Sequence, residues 1–171
     1  MVGFTKFQKP GKSMQDNIKI AIIDDDIDYV SIFEEYLNNE IFNVNLYKFI
    51  PDGDTDISSI VSKLFDLDII IIDFYMPLYN GIDIIYEYKK QYFTLHDGIE
   101  KHNPLFIMNT IKNNDSAIAV KAMNSGFDDF MTCSKDDIKY IMNILKKYIN
   151  SRCKGENIIN KFNEMVISGI V

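Results

Sequence analysis

Two rhythms of apolar and polar positions alternate along the chain. Ile18–Ile23 is a short, largely β-branched run that ends in Asp24, Asp25 and Asp26, and it predicts a buried strand. Over Asp28–Asn39 the period changes. Val30, Phe33, Tyr36 and Leu37 recur at helical spacing, and Asn38-Asn39 mark the end. Val44–Ile50 is a second, weaker strand. The turn Pro51-Asp52-Gly53-Asp54 leads into a helix over Ile57–Phe65, with Ile57, Ile60, Val61 and Leu64 on one face.

Asp68–Ile72 is the clearest strand, and it ends at Asp73. Its isoleucines do not alternate with polar residues, which predicts burial on both faces at the centre of a parallel sheet. Pro77 and Asn80-Gly81 predict a loop, and Ile82–Tyr92 resumes helical spacing. A polar connection follows over His96–Asn103. Leu105–Met108 then predicts a strand, Ala117–Asn124 a helix stopped by Gly126, and Phe127–Thr132 a fifth strand. Asp136–Ile149 is amphipathic, with Ile138, Ile141, Ile144, Leu145 and Tyr148 in phase. Five strand-then-helix units predict an α/β, three-layer, doubly wound fold around a five-stranded parallel sheet. In such folds ligands sit beyond the carboxyl ends of the strands, at the topological switch point. That rule selects the loops after Ile23 and Ile72.

The 171 residues hold 18 Lys plus Arg against 25 Asp plus Glu, a net charge of -7. Residues 1–17 and 151–171 are mildly basic, so the body carries more acid than the total suggests. Bulk-charge binding of nucleic acid needs a basic surface and is excluded as an expectation. No apolar run approaches the ~18 residues of a membrane span, and residues 1–17 contain no charged-then-apolar leader. Two cysteines, Cys133 and Cys153, make no disulfide framework, so a cytoplasmic location is expected. The chain divides into an expected flexible arm (1–17), one domain (18–150) and an amphipathic helical tail (151–171). In the tail, Ile158, Ile159, Phe162, Met165 and Val166 share a face. That face suits packing on the domain, docking of a partner, or homodimer formation.

The two switch-point loops bring Asp24, Asp25 and Asp73 together if the sheet is ordered as expected. Clustered carboxylates either raise one another's pKa or hold a cation. Oxygen ligands with room for water suit Mg²⁺. An aspartate in such a site can act as a nucleophile toward phosphate. Asp26 and Asp28 are better read as caps of the following helix. Asp24-x-Asp26-x-Asp28 and Asp52-x-Asp54-x-Asp56 echo calcium loops but lack the sixth-position glycine. His96 and His102 make a weak metal case.

Three stretches resemble the receiver domain of two-component response regulators. They are Ile22-Ile23-Asp24-Asp25-Asp26, Ile71–Gly81 with its Asp-x-x-Met-Pro-x-x-Asn-Gly pattern, and Gly126-Phe127-Asp128-Asp129-Phe130. The resemblance covers residues 18–150 and implies a flavodoxin-like fold. It implies that Asp73 accepts a phosphoryl group from a sensor histidine kinase or phosphotransfer protein. It assigns Mg²⁺ to Asp24, Asp25, Asp73 and the backbone carbonyl of Tyr75. It places a switch hydroxyl at the end of the fourth strand and an aromatic switch at Phe130. Thr110 is the best hydroxyl match, although counting from Pro104 selects Asn109 and counting back from Gly126 selects Ile111. The family's usual lysine falls at Cys133, with Lys135 two residues on as a substitute.

The resulting expectation is a single-domain response regulator that is not an enzyme in its own right and signals to a downstream protein. A pseudo-receiver that binds partners without phosphorylation is the alternative raised by Cys133. An aspartyl phosphatase is the distant third, from the Asp24-x-Asp26 pair.

Overall fold

The computed structural model describes residues 17–40, 44–95, 104–110, 116–132 and 137–153. Five strands and five helices alternate: β1 (Ile18–Ile23), α1 (Ile27–Glu40), β2 (Val44–Phe49), α2 (Ile57–Val61), β3 (Ile69–Asp73), α3 (Gly81–Leu95), β4 (Leu105–Thr110), α4 (Ser116–Ser125), β5 (Asp129–Thr132) and α5 (Asp137–Cys153). The strands form one sheet in the order β2-β1-β3-β4-β5, and every pairing is parallel.

The unbroken isoleucine run of β3 divides between two cores. Ile69 and Ile71 pack with Ile20, Ile22 and Ile107 beneath α1 and α5, where Phe33, Ile141 and Leu145 meet them. Ile70 and Ile72 face the other way, toward α2, α3 and α4, against Val61, Ile84 and Ile118. Adjacent strand residues point to opposite faces, so a strand covered on both sides needs no polar alternation. At the edge, β2 has no fully buried residue.

Several boundaries differ from the sequence expectation for local reasons. The second helix ends at Val61 rather than Phe65. There the Lys63 and Leu64 N–H groups bond to Ile60 and Val61 carbonyls three residues back, tightening the chain so that Leu64 and Leu67 enter the core. The fifth strand begins at Asp129 rather than Phe127, because Phe127 still belongs to the end of α4. Gly126 has φ 101°, its N–H bonds to Met123, and the Phe127 N–H reaches back to Ala122. These bonds form a Schellman closure, which favours glycine at the left-handed position. Lys89 of α3 donates to the last α4 carbonyl, that of Ser125, at 2.8 Å. The fourth strand runs two residues beyond Met108, through Asn109 and Thr110. The last helix crosses residue 150 and continues to Cys153. The remainder of the expected tail, and the arm 1–16, lie outside the described residues. Among the described residues no helix is long and apolar enough to cross a membrane.

Candidate functional site

After β1 the chain turns to β2 on one side, and after β3 it turns to β4 on the other. The crevice this reversal opens lies at the carboxyl ends of β1 and β3. Asp24 follows β1 and Asp73 ends β3. Ligand oxygens of Asp24, Asp25 and Asp73 all lie within 4.8 Å of one another. Asp24 and Asp73 are each only 4% exposed, whereas Asp25 faces solvent.

Hydrogen bonds separate structural acids from uncommitted ones. Asp26 accepts from the N–H groups of Asp28 (2.9 Å) and Tyr29 (3.1 Å) and so caps α1, as expected. Asp56 caps α2, and Asp52 accepts from Thr55 Oγ1 and the Asp54 N–H in a turn. Those bonds hold the Asp52 carboxyl below the usual range. Both acids serve local structure. Asp68 accepts from the Lys19 N–H at 2.9 Å, and Asp128 accepts from the Phe106 N–H at 2.8 Å. The Asp128 N–H in turn donates to the Phe106 carbonyl. Asp128 therefore clamps the entry of β5 to β4, a role that sequence reading missed.

Asp73 differs from these. Its Oδ2 accepts from the Tyr75 N–H at 3.0 Å, but its buried Oδ1 has no partner among the described residues. Burial, and then the adjacent Asp24 charge, push its carboxyl up from 3.8 to about 7. Burial likewise raises Asp24 to about 7, with the charges of Asp25 and Asp26 adding to the rise. The bond from the Asp26 N–H to Asp24 Oδ1 opposes it. Two buried carboxylates that resist ionisation side by side, an open third one and an unpartnered oxygen form a donor set suited to a hard divalent cation.

The loop after β3 shows why Asn80-Gly81 stands there. Tyr75 and Asn80 form an antiparallel bridge that closes the Pro77 loop. Asn80 Oδ1 accepts from the Ile82 and Asp83 N–H groups, and Asp83 Oδ2 accepts from the Asn80 N–H at 2.9 Å. This reciprocal capping starts α3. A Cβ on Gly81 would meet the Asp73 carbonyl oxygen at 2.7 Å, so the start of α3 sits directly against the end of β3.

Asp73 pairs in register with Asn109, not with Thr110. Asn109 also pairs with Met131, which lies in the α1/α5 core. Thr110 follows the alternation of Phe106 and Met108, which face α4. Phe130 pairs with Met108 and packs half-buried on that same face. The expected hydroxyl and aromatic thus share the α4 side, while Asn109 shares the Asp73 side. Cys133, Lys135, His96 and His102 lie outside the described residues.

No protein-family model matches the sequence, and no curated protein matches it. Solved structures do match in shape. One is the signal receiver domain of an HD domain-containing protein from Pseudomonas fluorescens, with TM-score 0.60 and 14% identity over 86% of this chain and 97% of that one. Another is the CheX–CheY complex with beryllofluoride and Mg²⁺ from Borrelia burgdorferi, at 0.57 and 17% over 77% and 89%. A third is a Saccharomyces cerevisiae receiver domain crystallised with a histidine phosphotransfer protein, at 0.52 and 19% over 70% and 81%. The chain has the flavodoxin-like fold of response-regulator receiver domains.

Proposed function

We propose that the protein is a single-domain response regulator whose Asp73 accepts a phosphoryl group from a phosphohistidine donor. The observation that carries the reading is the buried Asp73 carboxylate with an unpartnered Oδ1, beside Asp24 and Asp25 at the switch point of a receiver fold. Asp24, Asp25 and Asp73, with the Tyr75 carbonyl, would hold Mg²⁺. When bound, that ion offsets the charge of the acids and of the incoming phosphoryl oxygens. Asp73 Oδ1 attacks phosphorus. The P–N bond of the donor breaks as the P–O bond forms, and the imidazole keeps the bonding pair and takes a proton.

Exposed apolar side chains flank the acids, at the start of α1 and in the loop after β3. Ile27, Tyr75 and Leu78 are 59%, 41% and 60% exposed, a surface suited to a protein donor rather than a small polar one. The solved complexes of similarly folded chains with a phosphotransfer protein and with CheX support a protein as the partner. Phe130 and Thr110, on the α4 face, would carry the change to a downstream partner. Lys135 would take the place of the lysine missing at Cys133. The chain then acts as a signalling domain, with no turnover beyond its own phosphorylation and dephosphorylation.

Cys133 favours a second reading, a pseudo-receiver that binds partners without phosphate. The two separate on incubation with Mg²⁺ and acetyl phosphate, followed by intact mass. The proposal expects an 80 Da adduct that Asp73→Asn abolishes. No adduct and no Mg²⁺ binding would support the pseudo-receiver. Multiple turnovers that depend on Asp24 would support a phosphatase.

A further inference from the structure

We propose that the outward boundary between α3 and α4 is a docking surface for an acidic amphipathic helix of another protein. The surface stands apart from the acid cluster, and its use does not depend on phosphorylation of Asp73.

It begins with two aromatic side chains that face water. Tyr86 and Phe93 of α3 are 71% and 62% exposed and stand seven residues apart. On a helix that spacing puts them on one line, two turns apart. Ile84, Ile85, Tyr88 and Tyr92 already fill the sheet-facing side of α3, so the core needs neither aromatic. Lys89 lies between them on the same flank and shows which way that flank faces. Its Nζ donates to the Ser125 carbonyl at the end of α4, in a notch that only a glycine leaves open, since a Cβ on Gly126 would strike the lysine. The line of Tyr86 and Phe93 therefore borders α4, where Val120 and Met123 are 60% and 49% exposed. One exposed apolar side chain needs no explanation, but four large ones on two adjoining helices form a surface. Phe93 lies twelve residues beyond Gly81, about 18 Å along the helix, so the surface runs away from Asp73.

Charge selects the occupant. The whole chain carries a net charge of -7. Yet from Lys89 to the end of α3, and throughout α4, there are three lysines (Lys89, Lys90 and Lys121) and no acid. The nearest acid on α3 is Glu87, whose carboxylate accepts from Lys90 and Gln91. The Lys90 side chain is still 65% exposed, and Lys121 is exposed on α4. Apolar anchors at helical spacing, flanked by lysines, complement a helix with an apolar stripe and acidic flanks. The same charges disfavour other occupants. A second copy set on this face by a two-fold axis would oppose lysine to lysine. Residues 154–171 hold two lysines and two glutamates, so that segment brings no complementary net charge.

The probe is a fluorescein-labelled peptide of about 18 residues, long enough to cover α3, with Leu at helical spacing on one face and Glu on both flanks. A second peptide carries Lys in place of each Glu. Binding to the full chain is read by fluorescence anisotropy, and its location by amide shifts in ¹⁵N NMR spectra. The proposal expects saturable binding of the acidic peptide only, with the largest shifts at Tyr86, Lys90, Phe93 and Met123. Tyr86→Ser combined with Phe93→Ser is expected to weaken it at least tenfold, as loss of aromatic anchors does. Lys90→Glu combined with Lys121→Glu is expected to weaken it at least fivefold through charge reversal. All four residues are exposed, so both double variants should melt as the parent does, and if one melts lower the other decides. No saturable binding, equal binding of the lysine peptide, shifts centred elsewhere, or parent-like affinity in both double variants overturns the proposal. Binding of phosphatidylglycerol–phosphatidylcholine vesicles in place of the peptide also overturns it and makes the face a membrane surface. A dimer in sedimentation that Tyr86→Ser with Phe93→Ser dissociates overturns it too, and makes the face a contact between copies.

Discussion

The position a Cβ would occupy on Gly81 lies 2.7 Å from the carbonyl oxygen of Asp73. That contact joins the first residue of α3 to the last residue of β3, so the glycine sets how closely the helix approaches Asp73. The clashing atom is backbone and cannot swing aside. Gly81→Ala is expected to cost about 1–3 kcal/mol through the forced shift. It is also expected to weaken Mg²⁺ binding by displacing Asp73. Urea melts paired with Mg²⁺ titration test both effects, and a parent-like Gly81→Ala protein would contradict the close approach.

Asn80 acts one residue earlier and by a different force. Its side chain satisfies two N–H groups at the start of α3, and Asp83 returns the bond. Asn80→Ala should lose about 1 kcal/mol, the usual worth of an N-cap, while Asn80→Asp, which keeps an acceptor, should lose much less. Equal losses in the two variants would assign Asn80 some role other than capping.

The acid cluster makes a pH prediction with a defined sign. Asp24 and Asp73 have folded values of about 7, above the ordinary 3.8. Between those values the folded chain holds protons that the unfolded chain has released. The metal-free protein should therefore lose stability as pH rises from 3.8 to about 7 and change little above that from these groups. Mg²⁺ binds the ionised form, so its affinity should fall as pH drops below that range. Thermal melts at pH 5 and pH 8, with and without Mg²⁺, are the measurement. The Mg²⁺-dependent rise in Tm is expected to be larger at pH 8, and an equal rise at both would count against the site.

Central and edge strands should respond differently to truncation. Ile71 and Ile72 are adjacent, fully buried and in different cores. Ile71→Ala and Ile72→Ala should each cost about 2–5 kcal/mol, because both faces of β3 are covered. Tyr47→Ala on β2, where the side chain is exposed, should stay within about 0.5 kcal/mol. A small effect at either Ile71 or Ile72 in denaturant melts would mean that one face of the sheet is open.

Much of this architecture is legible locally. The isoleucine run of β3 announces a strand buried on both sides, and the amphipathic spacing of α5 and the stop at Gly126 need only neighbouring residues to be read. Asp24, Asp25 and Asp73 are visible because acids at strand ends are conspicuous in an otherwise apolar pattern. Asp26 is legible as a cap for the same reason, its partners lying two and three residues away.

Other features depend on partners distant in sequence. Asp128 looks like one more acid until β4 brings the Phe106 N–H within 2.8 Å of it. The choice between Asn109 and Thr110 cannot be made by counting along the chain, because one residue of register reverses every side chain on a strand. Side-chain period and local hydrogen bonding are enough to read the strands, the helices and the acids at the switch point from the residues alone. Which fourth-strand residue pairs with Asp73, and which buried acids are already bonded, follow only from the pairing of segments some 20 to 40 residues apart, which no local pattern encodes.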